Sequence, residues 1–237
     1  ERGYQRFTHG MGVGDVNKDG RMDVLEKDGW WEQPPAGSKA ETWPFHEVKF
    51  SEGGGAQMFA YDVDGDGDND VITSKAAHAY GLSWFENVGG DNGNIAFREH
   101  LIMGEKPEEN EYGVAFSQLH SLDLVDMDGD GVKDIVTGKR YWAHAEHDPG
   151  ALDPPVLYWF RTVRPSTNSK DKKVHFVPNR IDSNSGVGTQ VVAGDLNGDK
   201  LPDIIVGNKK GTFYFLQKAE AGKSRNSKDA EQSPAKQ

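Results

Sequence analysis

DMDGDGVKD, residues Asp126 to Asp134, is the stretch on which the reading of this 237-residue chain turns. Carboxylates hold its first, third, fifth and ninth places, a glycine holds its sixth, and short apolar runs flank it on both sides. Calcium is a hard cation that takes about 6 to 8 oxygen ligands at roughly 2.3 to 2.6 Å, so a tight loop must turn several oxygens inward at once. Alternate residues of a curled loop do this: Asp126, Asp128 and Asp130 face inward and Gly131 takes the positive φ of the turn. Val132 then offers its backbone carbonyl and Asp134 closes the shell. A single copy would also fit a solvated Asp/Gly turn.

The chain holds three more copies: DVNKDGRMD from Asp15, DVDGDGDND from Asp62 and DLNGDKLPD from Asp195. Their first aspartates lie 47, 64 and 69 residues apart in chain order, the spacing of supersecondary repeats. By alignment the ligand sets are Asp15, Asn17, Asp19, Arg21 and Asp23; Asp62, Asp64, Asp66, Asp68 and Asp70; and Asp195, Asn197, Asp199, Leu201 and Asp203. An EF-hand is the rival, because Glu26 stands at the twelfth place of the first loop. The same place holds Thr73, Thr137 and Val206 in the others, and the flanks (GMGVG, QMFAY, LHSLDLV and QVVAG before; VLEK, VITSK, IVTGK and IIVGN after) are short and β-branched rather than helically periodic. The units read as strand, calcium loop, strand.

Repeated D-x-[DN]-x-D-G-x-x-D between two strands, followed by aromatic strands, resembles the FG-GAP/VCBS repeat, the calcium-loop blade of integrin alpha-subunit propellers and of many secreted bacterial proteins. The resemblance covers about residues 9 to 216. It departs from the family in lacking the Gly-Ala-Pro that names the repeat, although Gly138 and Gly207 hold its glycine place. Lys200 replaces the turn glycine of the fourth loop, so three or four Ca2+ ions are expected. The implied fold is all-β, a β-propeller of four-stranded antiparallel blades at about 9–50, 56–103, 118–181 and 189–216. Family members usually have more blades, so these four are expected to belong to a six- or seven-bladed propeller; the alternative is closure by four, with residues 2 to 8 supplying the missing outer strand of the last blade.

Composition agrees with a turn-rich β protein: 35% hydrophobic residues, 29 glycines and no cysteine. No apolar run approaches the ~18 residues of a membrane span, and no secretory signal is visible. A net charge of −11 argues against a nucleic-acid partner, and four Ca2+ would bring it to about −3. The acidity is therefore metal-site acidity. Calcium implies a secreted, extracellular or periplasmic setting. Residues 217–237 are polar and aperiodic, and read as a disordered tail.

Ligand recognition is expected at the opposite ends of the strands from the calcium loops. Entering the first strands stand His9, Gln57, His120 and Gln190; a lysine follows every second strand, as Lys27, Lys75, Lys139 and Lys209. Long insertions there add His78 and Tyr80, and Arg140, Tyr141, His144 and His147. His46, His100 and His175 fall in outer strands and read as structural. Cationic and imidazole character suits an anionic or polyhydroxyl ligand, so the leading expectation is a non-catalytic binding module for carbohydrate or a protein partner. The alternative is a sugar lyase or a dehydratase like aldos-2-ulose dehydratase, with Tyr80, Tyr141, His120 and His144 as acid and base candidates, Lys139 or Arg140 neutralising an enolate, and a Zn2+ held by histidines.

Overall fold

The computed structural model describes residues 9–90, 94–142, 144–166 and 168–219. Among the described residues fifteen strands form four antiparallel meanders arranged as a β-propeller, and there is no α-helix. Blade 1 comprises β1 (Met11–Gly14), β2 (Asp23–Glu26), β3 (Gly29–Trp31) and β4 (Phe45–Glu47). Blade 2 comprises β5 (Phe59–Tyr61), β6 (Asp70–Ser74), β7 (Leu82–Asn87) and β8 (Phe97–Met103). Blade 3 comprises β9 (Leu122–Val125), β10 (Asp134–Gly138), β11 (Leu157–Val163) and β12 (His175–Asp182). Blade 4 has three strands among the described residues: β13 (Val191–Gly194), β14 (Asp203–Asn208) and β15 (Gly211–Phe215). Residues 2 to 8, the expected source of a fourth strand, lie outside the described residues.

Second strands read as near-continuous β-branched runs because both their faces are covered by neighbouring blades. Every residue of β6 and β10 is buried. Three apolar clusters fill the spaces between blades 1 and 2, 2 and 3, and 3 and 4. The aromatics of the third strands supply much of this packing, Trp30 and Trp84 being almost wholly enclosed. Each stacks on the histidine directly opposite it: Trp30 on His46 at 4.1 Å and Trp84 on His100 at 4.5 Å between ring centroids. Glu32 and Glu86 hold those histidines from the outer side, and His175 pairs with Glu111 and Asp171, so all three are structural.

One contact recurs in every blade. The ninth-place aspartate of each loop is fully buried and spends both oxygens on backbone N–H donors. Asp134 accepts from Met127 within its own loop at 2.9 Å and from Thr162 on β11 at 2.9 Å. Asp23 does the same with Val16 and Gln33, Asp70 with Val63 and Asn87, and Asp203 with Leu196 and Gln217. This carboxylate therefore fastens loop to third strand. Gln217 is correspondingly no part of a free tail, since its side-chain amide also donates to Met127 O of blade 3; the remainder of the expected tail, from residue 220, lies outside the described residues.

Removing such a carboxylate orphans two buried donors, each costing about 1 to 3 kcal/mol. Asp134→Ala should accordingly lower unfolding free energy by roughly 2 to 5 kcal/mol in denaturant titrations, with chelator present as well as absent. A loss seen only with calcium would assign Asp134 to the metal alone.

Candidate functional site

The four loops share one hydrogen-bond plan. The first carboxylate accepts N–H groups from the rising half of the loop: Asp126 from Gly129, Asp130 and Gly131, Asp195 from Gly198, Asp199 and Lys200, and Asp15 from Asp19 and Gly20. Third-place Asn17, Asp64, Asp128 and Asn197 each accept from the fifth residue, and the fifth residues Asp19, Asp66, Asp130 and Asp199 from the seventh. Turning so tightly needs positive φ at the fourth and sixth places. Glycines supply it in most copies, while Lys18 (φ 58°) and Lys200 (φ 66°) are forced into it. The Lys200 substitution therefore leaves the turn intact, with its N–H 2.9 Å from Asp195 Oδ2.

Carboxylate oxygens of Asp62, Asp64 and Asp66, and of Asp126, Asp128 and Asp134, lie within 4.8 Å of one another, a donor set of hard oxygens that fits calcium. Burial, against the pull of their backbone donors, pushes Asp70 and Asp134 up to about 7. Arginines lean on three of the loops: Arg161 Nε lies 2.6 Å from Asp128 Oδ2, Arg164 donates to the carbonyls of Asp62 and Val63, and Arg21 pairs with Asp19.

Antiparallel pairing puts the residues entering first strands and leaving second strands at the other end of each blade. Four imidazoles converge there, from three blades. His78 Nε2 lies 3.0 Å from His9 Nε2; the His9 and His120 rings meet edge-on with centroids 4.8 Å apart; His78 stacks on His144 at 4.5 Å. Asp148 sits beneath His78 and His144, at 3.1 Å from Nδ1 of each, and Arg140 donates to Asp148 at 3.0 Å. These imidazoles, Arg140 and Thr189 line a pocket of about 600 Å³. Burial, then the positive charge of Arg140, then the neighbouring rings hold His120 down to about 3, and His9 and His78 are also lowered, burial leading in each. Burial would raise Asp148, but hydrogen bonds from His144 and His78 outweigh it and leave it below the usual carboxylate range. A smaller recess of about 280 Å³ adjoins, sharing Arg140, His144 and Thr189 and walled by Tyr141, Trp142 and Lys209. There Lys209 Nζ lies 4.8 Å over the exposed Trp142 ring, and Lys210 Nζ 5.1 Å over Tyr141.

Residues 187–224 match the FG-GAP repeat family. The fourth blade is similar to an FG-GAP repeat. No curated protein compared with the chain matches it. Blades 1 to 3 repeat the strand order and loop hydrogen bonds of the FG-GAP blade, in keeping with an FG-GAP repeat propeller.

Within this β-propeller the residues expected at the axial face sort into three groups. His9, His78, His120, His144 and Arg140 come together, and Tyr141 borders them. Gln57 is a structural tie: its Oε1 accepts from Leu122 N at 2.8 Å and its Nε2 donates to Thr189 O, linking blades 2, 3 and 4. The others stand apart. Lys139 is buried with its ammonium on the carbonyls of Arg140 and Ala151, Lys27 pairs with Asp28, Lys75 pairs with Glu99, Tyr80 lines a separate recess, and Gln190 and His147 are exposed outside the pocket lining. A lysine after each second strand is thus a repeat feature serving four different local partners. Sequence reasoning missed Asp148 and Trp142, although both lie in the blade 3 insertion it singled out; the preponderance of histidine drew attention from the one carboxylate that organises them.

A lysine held at positive φ costs about 1 kcal/mol that glycine avoids. Lys200→Gly should raise the melting temperature by roughly 2 to 4 °C, measured in chelator so that only the backbone is read. An unchanged or lower value would show that the Lys200 side chain contributes more than its backbone costs.

Proposed function

We propose that the protein is a calcium-loaded FG-GAP propeller that works as an extracellular or periplasmic binding module for acidic carbohydrate. The observation that carries this reading is the axial depression where Trp142, Lys209, Arg140 and the imidazoles lie side by side. An exposed aromatic ring offers a flat apolar face to a sugar ring, and adjacent cations answer the carboxylates of uronic acids. Calcium in the loops contributes stability: an ion bound only by the folded state adds about 2.7 kcal/mol at 100 times its dissociation constant. Millimolar calcium outside the cytoplasm would fill sites of modest affinity.

A panel of polyuronates, neutral glycans and a neutral polymer control, read by calorimetry in calcium buffer, tests the assignment. Polyuronates should bind and weaken with salt, and Trp142→Ala should reduce affinity by about threefold to tenfold while leaving the melting temperature unchanged. Binding by none of the panel, or binding untouched by Trp142→Ala, would remove carbohydrate from this face and leave a protein partner as the better reading.

The catalytic reading, a sugar lyase or dehydratase, draws support from Arg140 standing beside the imidazoles in the pocket wall, a cation able to neutralise an enolate. In that case polyuronate would yield an unsaturated product with rising ultraviolet absorbance, and His120→Ala with His144→Ala would abolish the rise.

Asp128→Ala separates calcium from the axial face. It should lower the melting temperature when calcium is present and change it little in chelator. Equal losses in both buffers would count against an occupied third loop.

A further inference from the structure

We infer that His9, His78 and His120 form a binding site for one divalent transition-metal ion of the zinc type, at the floor of the axial pocket. The site rests on the reading of that pocket as the functional face, and adds to it an ion that the aspartate loops would not select.

Donor chemistry comes first. The three residues each bring a ring nitrogen within 4.8 Å of the others, and among the described residues this is a group made of imidazoles alone. Nitrogen ligands without thiolate suit Zn2+ and its neighbours in the first transition row, whereas calcium takes oxygen. Tetrahedral zinc with Zn–N of about 2.0 to 2.1 Å sets its nitrogens about 3.3 Å apart. His78 Nε2 and His9 Nε2 already stand 3.0 Å apart, so side-chain rotations of small size complete the triangle.

Second, the cluster is fixed from behind. Ala77 N donates to Gly54 O, Gln118 N donates to Ala79 O, and Leu119 O accepts from the Ser74 hydroxyl, so the backbones carrying His78 and His120 are tied to one another. Gly54 abuts His9 so closely that a Cβ there would stand 2.2 Å from the His9 carbonyl oxygen. With a metal on Nε2 of His78 the ring proton resides on Nδ1, where Asp148 Oδ2 at 3.1 Å accepts it. Carboxylates that hold the far nitrogen of a liganding histidine in this way set its tautomer and orientation.

Third, direct contact with Arg140 separates two overlapping groups, while its charge reaches His9 and His120 as well. His78, His144 and Asp148 also bring donor atoms together, but Arg140 Nη2 lies 3.1 Å from His78 Nδ1 and 3.0 Å from Asp148 Oδ2. A dication on that side would face a guanidinium at close range. The Nε2 side of His78 meets His9 instead, and the fourth coordination position opens toward the pocket that His9, His78 and His120 line. Three histidines with one open position is the pattern of zinc sites that bind or activate an exchangeable ligand.

The test uses the full chain stripped of metal and then held in excess calcium, which keeps the aspartate loops filled. Zn2+ alone should bind at one ion per chain by calorimetry, and Co2+ alone should bind with the visible absorption of a tetrahedral site. His78→Ala should weaken Zn2+ by at least about 100-fold and Asp148→Asn by about 10- to 100-fold, while Asp128→Ala leaves it within about threefold. Far-ultraviolet dichroism and the melting temperature in chelator separate a lost site from a lost fold. No stoichiometric uptake by the folded wild-type chain, uptake unchanged in His78→Ala, or uptake lost with Asp128→Ala would each overturn the assignment. No carbohydrate enters this assay, so a failure of the glycan reading and a failure of the metal site are read separately.

Discussion

One buried carboxylate that recurs in every blade, the ninth-place aspartate, holds this fold in register. It joins the loop after the first strand to the end of the third strand through two backbone donors, and it does so in all four blades. Burying a carboxylate is costly unless its lone pairs are met, and here each oxygen meets an N–H that would otherwise be orphaned in the blade interior. The loop can then curl into four similar cages whether the sixth residue is glycine or, as at Lys200, a residue with a penalty for the same backbone. Carboxylates gathered at one end of the strands follow from this anchor.

The two ends of the blades consequently have opposite chemistry. One end concentrates aspartate and is countered by Arg21, Arg161 and Arg164. The other gathers imidazole and guanidinium groups around a single carboxylate, Asp148. Ties between blades keep the second end rigid: Ser74 spans the entrances of blades 2 and 3, Gln57 reaches both blade 3 and blade 4, and Arg140 pairs with Val187 through the backbone. Gln118, fully buried at φ 58°, is a strained residue at the approach to His120. Strain of this kind persists only where surrounding contacts impose it, and it clusters at binding sites.

Much of the fold was legible in the chain. The recurrence of D-x-[DN]-x-D-x-x-x-D between β-branched runs marked four blades, and the strands near Trp30, Trp84 and Trp159 fell where aromatic runs placed them. Local chemistry suffices for this, because loop spacing, turn residues and strand alternation are all short-range properties. The same logic read His46 and His100 as structural from their outer-strand position, and the strand register sets each across from a tryptophan. Equivalent position does not carry equivalent contacts: the lysines after the second strands have unlike partners, because each blade's neighbour differs.

By itself, then, the sequence determined the β architecture, the four aspartate loops and the end of each blade where long insertions emerge. Tertiary structure alone decided which polar residues of that end come together. Along the chain His9, His78 and His120 are separated by 42 residues or more, and only the packing of blades 1, 2 and 3 brings their rings and that of His144 within contact. The same packing buries Lys139, turns Tyr80 into another recess and stations Asp148 beneath two imidazoles. Strand-end position fixes which rim a residue occupies, but the direction of its side chain around the axis depends on the neighbouring blade, and that information is non-local.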